Sequence, residues 1–157
     1  MNSTDIRDLL RRDHAMVLAA LEALRSEPDA RRSLARLDLV RRNWIIHALA
    51  EETVVYRAIE GAEGLKGSKS NADERFIEHE LVEGLFEKLS RTRPGSQEWM
   101  ARVSVARELI ARHIEHEHES LFARLAKSFD ADALREIGHR FRLAGDKLRM
   151  LEEAKAA

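Results

Sequence analysis

The chain has 157 residues, 27 of them basic and 28 acidic, a net charge of −1 and no cysteine. A single domain of that size buries enough surface to fold without a covalent staple, and the lack of cysteine excludes disulfides, thiolate metal sites and cysteine nucleophiles. Charges of both signs are interspersed, as in RRNWIIHALAEE, which leaves no one-sign face for nucleic acid.

The first residues, MNSTDIRDLLRRDH, lack the basic-then-apolar pattern of a secretory leader. No apolar run approaches the ~20 residues of a membrane helix. A soluble, cytoplasmic protein with no nucleic-acid or membrane partner is expected. Ala, Leu, Arg and Glu dominate, with two Pro and seven Gly, an all-helical composition.

In chain order, the first helix is expected from about Thr4 to Arg25, with Ile6, Leu10, Val17, Leu21 and Leu24 forming its apolar stripe. SEPD (26–29) ends it and supplies Asp29 as the next cap. The second helix runs to about Glu60 and stops at Gly61. GAEGLKGSKSN reads as a loop, with Ser70 or Asn71 capping a third helix from about Ala72 to Arg91. TRPGS breaks the chain, Ser96 caps a fourth helix to about Lys127, and Asp130 caps a fifth over about 131–153. Its stripe is Leu134, Ile137, Phe141, Ala144, Leu148 and Leu151. Four long helices on short loops predict an all-α, up-down-up-down bundle over about 4–127, with the fifth helix packed outside it.

Each core stripe carries a histidine. The series are Leu10, His14, Val17, Leu21; then Val40, Trp44, His47, Glu51, Val55; then Phe76, His79, Val82 or Glu83, Phe86; and Val103, Ala106, Ile110, His113, Glu117, Leu121. Residues four apart share a helix face, so His47–Glu51 and His113–Glu117 are each placed to act as a pair. In RHIEHEHESLF this turns His113 and Glu117 inward, leaves His116 on the flank, and rotates His118 and Glu119 away. His116, His118, Glu119 and His139 are read as solvated or rim residues.

IIHALAEETVVYRAI (45–59) parallels ARHIEHEHESLFARL (111–125), with Tyr56 over Phe122. His14 to His47 is 33 residues and His79 to His113 is 34, so the chain reads as two hairpins that each supply a His and then a His-x3-Glu. One height is awkward: counted from their shared turn, His14 and His47 differ by about 9 Å along the axes. The second helix would have to begin later, near Ser33, or the helices be staggered.

A single buried histidine is most simply a core residue bonded to a neighbouring carboxylate. Four histidines and two glutamates on one inner layer are different, because buried ionisable groups without partners are expensive, and a metal supplies the partner. Imidazole and carboxylate without sulfur suit iron, manganese or zinc.

His14, His47-x3-Glu51, His79 and His113-x3-Glu117 together resemble the signature of the hemerythrin-like (HHE cation-binding) domain, over about Asp5 to Leu125. The resemblance implies one hemerythrin-like domain spanning 1–157, with a non-haem di-iron centre. In it Glu51 and Glu117 would bridge two iron ions and His14, His47, His79 and His113 would be terminal ligands. Oxygen-carrying hemerythrins have a His-x3-His in the third helix and an Asp in the fourth, whereas here those positions hold Glu83 and Glu117. That departure points away from reversible oxygen carriage and toward the group linked to iron handling, oxidative or nitrosative stress and sensing. Ferritin-like bundles carry Glu-x-x-His instead.

Glu83 is the candidate for an extra ligand, with a solvated rim position as the alternative. Glu52 is expected on the surface or behind the ligands, and Tyr56, Phe122, Trp44 and Trp99 in packing. Three functions are expected to compete: a di-iron protein sensing or handling oxygen, nitric oxide, peroxide or iron; a di-iron enzyme decomposing hydrogen peroxide; and a metal-free helical interaction module. The sequence assigns no catalytic residue and no cofactor beyond the metal.

Overall fold

The computed structural model describes residues 4–63 and 69–156, and among them there are five helices and no strand. Helix α1 is Ile6–Arg25. Helix α2 covers residues 30–63 without interruption, as Ala30–Ala50, a π-helical turn at Glu51–Tyr56, and Arg57–Glu63. Helix α3 is Lys69–Ser90. Helix α4 covers 97–128, as Gln97–His116, a second π turn at Glu117–Leu121, and Phe122–Ser128. Helix α5 is Ala131–Ala156.

The expected caps form. Side chains of Asp29, Ser96 and Asp130 accept from the backbone N–H of Arg32, Trp99 and Ala133 at 2.8, 3.1 and 2.8 Å, each satisfying a donor that a helix start leaves without a partner. The first cap is Asp5, which accepts from Arg7 N at 2.9 Å. Gly95, with φ +76°, takes the left-handed turn into Ser96. Two boundaries differ from expectation: α2 passes through Gly61 to Glu63, and Ser70 and Asn71 lie inside α3 rather than capping it. The rest of the expected loop, 64–68, lies outside the described residues.

Helices α1 to α4 form a closed ring in which each packs on the next and α4 returns to α1, while α5 lies against α1 and α2. The 9 Å puzzle resolves as stagger. Helix α2 starts at Ala30, yet the rings of His14 and His47 lie 4.9 Å apart, so the two helices are offset along their axes. Ser33 Oγ donates to the Glu27 carbonyl at 3.3 Å, and the Glu27 carboxylate accepts from Arg32 and Arg36 at 3.0 Å each.

The apolar stripes make two separate cores. One, at the end where α5 docks, includes Ile6, Leu10, Val55, Ile59, Leu121, Leu125, Ile137 and Phe141. The other includes Leu21, Val40, Trp44, Phe86, Trp99, Val103 and Ile110. Each fully buried side chain of this kind contributes about 1.5–3 kcal/mol. Of the two alternatives in α3, Val82 is the buried one (1% exposed) and Glu83 is only partly covered. Phe76 is 37% exposed, at the edge of its stripe. Leu134, Ile137 and Phe141 fasten α5, whereas Leu151 is half in solvent. Gly138 is where the N-terminal segment crosses α5: a methyl there would come within 1.9 Å of the Thr4 carbonyl oxygen. Between the two cores lies a layer that is not apolar.

Candidate metal centre

That layer is made of His14 from α1, His47 and Glu51 from α2, His79 from α3, and His113 and Glu117 from α4. All six are buried, and Glu51, His113 and Glu117 have no exposed surface. Helical spacing puts each His and the Glu four residues on over one another. Both glutamates also open a π turn, a widened turn that recurs at functional sites. Each of these turns carries a hydroxyl bonded back to a carbonyl four residues earlier, Thr53 Oγ1 to Leu49 O at 2.6 Å and Ser120 Oγ to His116 O at 2.7 Å, a bond that loosens and bends a helix. The sequence parallel between α2 and α4 is thus a parallel of local structure.

The ligand atoms fall into two sets, His14, His47 and Glu117, and Glu51, His79 and His113. Within each set they lie within 4.8 Å of one another, so either set could hold a metal ion. Each carboxylate reaches both sets. Glu51 Oε2 lies 3.8 Å from His47 Nε2, 3.8 Å from His79 Nε2 and 4.0 Å from His113 Nε2. Glu117 Oε2 lies 3.2 Å from His14 Nε2, and its Oε1 3.4 Å from His113 Nε2. Glu83 and His116 stand outside both sets.

Every imidazole is held from behind through Nδ1: His79 by Glu52 at 2.7 Å, His113 by Glu78 at 2.8 Å, His14 by His118 at 3.2 Å and His47 by Asp13 at 3.5 Å. A proton on Nδ1 leaves the Nε2 lone pair free to face the centre, the arrangement that orients histidine on a metal. Tyr56 OH stands 3.1 Å from Glu51 Oε2 and 2.9 Å from Glu117 Oε1. Arg75, 8% exposed, reaches Glu117 Oε1 at 3.5 Å and donates to Ser120 Oγ at 2.8 Å. Trp44 closes the layer from the other core, its ring 5.4 Å from that of His79 and 5.6 Å from that of His113, edge-on to both.

Without a metal this is an uncomfortable interior. His14 Nε2, His47 Nε2, Glu51 Oε1 and Glu117 Oε2 are buried and have no hydrogen-bond partner. Burial pushes the Glu51 carboxyl well up, and the nearby Glu117 carboxylate adds to the push. Burial also acts upward on Glu117, but the imidazoles of His113 and His14 outweigh it and hold that carboxyl well below its usual range. The two are pushed in opposite directions, and the single Tyr56 hydroxyl stands within hydrogen-bond distance of both. Burial lowers His14 to about 4 and lowers His79 as well, so these rings are neutral near pH 7, the state in which imidazole binds metal. Leaving two carboxyl groups and four rings so placed costs several kcal/mol per ion, and the orphaned atoms are the nitrogen and oxygen donors that a borderline or hard cation takes. The residues fit a pair of metal ions.

Two roles differ from the sequence reading. His118 is exposed, yet it backs His14 instead of lying away from the layer. Tyr56 packs as expected but is also the hydrogen-bond link between the glutamates. Glu52 stands behind a ligand, one of the two places expected for it. Glu78 and Arg75 were missed, because single charges on a charged helix carry no periodic signal. His139 is exposed, as expected.

The fold and this layer define a helical-bundle protein with a buried histidine–carboxylate site for cations. The chain belongs to the Hemerythrin HHE cation binding domain family, whose sequence pattern matches residues 5–125. It is also 22% identical, over 144 residues, to a protein of Nostoc sp. named DNA nickase; the aligned region is 92% of this chain and 40% of that protein. No solved structure matches. Among the described residues no helix is long and apolar enough to cross a membrane.

Proposed function

We propose that the chain is a non-haem di-iron protein that senses or handles oxygen, nitric oxide, peroxide or iron. The observation that carries this reading is the pairing of the six donors into two sets joined by two carboxylates, with four of their atoms otherwise without partners. Iron is favoured over manganese or zinc because the resemblance to the family points to it. Bound there, two iron ions would supply open positions for a small oxygen- or nitrogen-containing ligand and a change of oxidation state. The chain's own groups would fix the ring orientations, keep bulk water out through the two apolar cores, and hold one proton at Tyr56 between the glutamates.

Glu83 stands where carriers have a second third-helix histidine and lies outside both donor sets, so one iron ion would have one imidazole fewer and a more open position, which supports oxidation over reversible carriage. Peroxide decomposition is the enzymatic form of the same reading. Protein loaded anaerobically with iron(II) should be oxidised by added oxygen and should not return to its starting spectrum when the oxygen is replaced by argon. Colour that appears with oxygen and vanishes under argon through repeated cycles would contradict this. The name of the Nostoc protein brings a second reading, metal-dependent DNA strand scission, and nicking of supercoiled plasmid by the loaded protein is its test. The balance of 27 basic against 28 acidic residues supports the first reading over the second.

A further inference from the structure

A histidine that binds a metal through Nε2 keeps its proton on Nδ1, and the group accepting that proton sets how strong a donor the ring becomes. The four rings are unequally served. His79 and His113 each face a carboxylate at hydrogen-bond distance, Glu52 at 2.7 Å and Glu78 at 2.8 Å, with those carboxylates 19% and 21% exposed. His47 faces Asp13 at 3.5 Å, and Asp13 is 34% exposed, so water weakens what the longer distance leaves. His14 faces another imidazole, His118 Nε2, at 3.2 Å. The carboxylate grouped with His14 and His47 is Glu117; Arg75 pairs at 3.5 Å with its Oε1, while Oε2 faces His14, so the guanidinium draws charge from this carboxylate and leaves a weaker anion for that position.

The surroundings differ in the same sense. A cavity of about 240 Å³ lies beside His47, lined also by Asp13, Met16, Trp44 and Arg149. The hollow on the other flank, about 200 Å³ and lined by Glu78 and His116 among others, meets the guanidinium of Arg75, which is buried and anchored on Ser120.

We propose that the two metal positions are inequivalent: Glu51, His79 and His113 hold their ion tightly, whereas His14, His47 and Glu117 form the exchangeable position, reached through the cavity beside His47. This rests on the metal-centre reading above. Loss of an outer partner costs a metal-bound histidine about 10–100-fold in metal affinity, so two close carboxylates against none should separate the two dissociation constants by roughly tenfold or more.

The test is anaerobic calorimetric titration of the metal-free full chain with Mn²⁺. Wild-type protein should bind in two resolved steps. Glu78→Gln and Glu52→Gln each keep an acceptor oxygen and lose the charge; each should weaken the tight step about tenfold and leave the loose step within about threefold. Asp13→Asn should weaken only the loose step. Because Glu52 and Glu78 serve different rings of the same position, either variant reads the result if the other fails to fold. Met16→Trp, at the cavity rim, should slow the second phase of stopped-flow uptake several-fold and leave the first unchanged. A single step of two equal ions, Glu78→Gln weakening the loose step alone, or an unaltered second phase in Met16→Trp would overturn the proposal. Uptake of no Mn²⁺ or Fe²⁺ by wild-type protein would instead refute the metal centre itself, and this inference with it.

Discussion

Replacing Tyr56 by Phe removes one oxygen from the middle of the polar layer and nothing else. In the metal-free protein that oxygen lies 2.9 Å from Glu117 Oε1, and Glu117 is the carboxyl held in its ionised form. The other neighbours of Oε1 are longer contacts, His113 Nε2 at 3.4 Å and Arg75 at 3.5 Å. The substitution therefore deletes this charge-assisted bond together with the 3.1 Å contact to Glu51 Oε2, at least about 2 kcal/mol, and the phenyl ring leaves no unsatisfied atom of its own. For a chain of this length that lowers the midpoint of thermal unfolding by roughly 4–8 °C. With metal bound, the carboxylate charge is met by the ion, and the difference should shrink to about 1 kcal/mol or less. Circular dichroism melts of both proteins, with chelator and with metal, give the comparison directly. A Phe variant as stable as wild type in chelator would refute the assignment of an ionised Glu117 bonded to Tyr56.

Glu51→Ala and Glu117→Ala should each abolish stoichiometric metal binding, seen by elemental analysis, while Glu119→Ala, exposed and outside both sets, should leave it unchanged. Gly138→Ala should destabilise the chain by about 1–3 kcal/mol, because the methyl meets backbone at Thr4 that must move; Gly84→Ala, open on all sides within α3, should stabilise by about 0.5–1 kcal/mol, and urea melts separate the two signs. For the metal-free protein, the lowered pKa of His14 means that the unfolded chain takes up a proton before the folded one. Its contribution to stability is present above about pH 6.5 and is lost as pH falls toward about 4, on the order of 3 kcal/mol in all. Melting temperatures that rise on acidification across that window would contradict it.

The bundle and the six donors were legible in the sequence because both are periodic. An apolar stripe interrupted at one height by His, and by Glu four residues on, can be read with a helical wheel. The π turns at Glu51 and Glu117 were not legible, since they arise from tertiary packing and from hydroxyls at Thr53 and Ser120 that also occur in ordinary helices. Reading His118 as turned away followed from ideal helix geometry. The residue directly follows the start of the second π turn, where the wheel no longer holds, and from there its ring reaches His14 Nδ1. The stagger of α1 and α2 leaves no periodic mark in the sequence, and neither does the contact of Ser33 with Glu27 across the turn. The partners behind the histidines, Glu52, Glu78 and Asp13, are single charges among 28 acidic residues, and only the fold distinguishes them from solvated neighbours.

Metal content per chain is the most direct test. Protein expressed with supplemental iron, purified without an affinity-tag metal and analysed for every transition metal against an amino-acid-based protein concentration should carry two ions per chain, with iron predominant. One tightly held zinc, or no metal at all in a chain that is folded by circular dichroism, would contradict the di-iron centre.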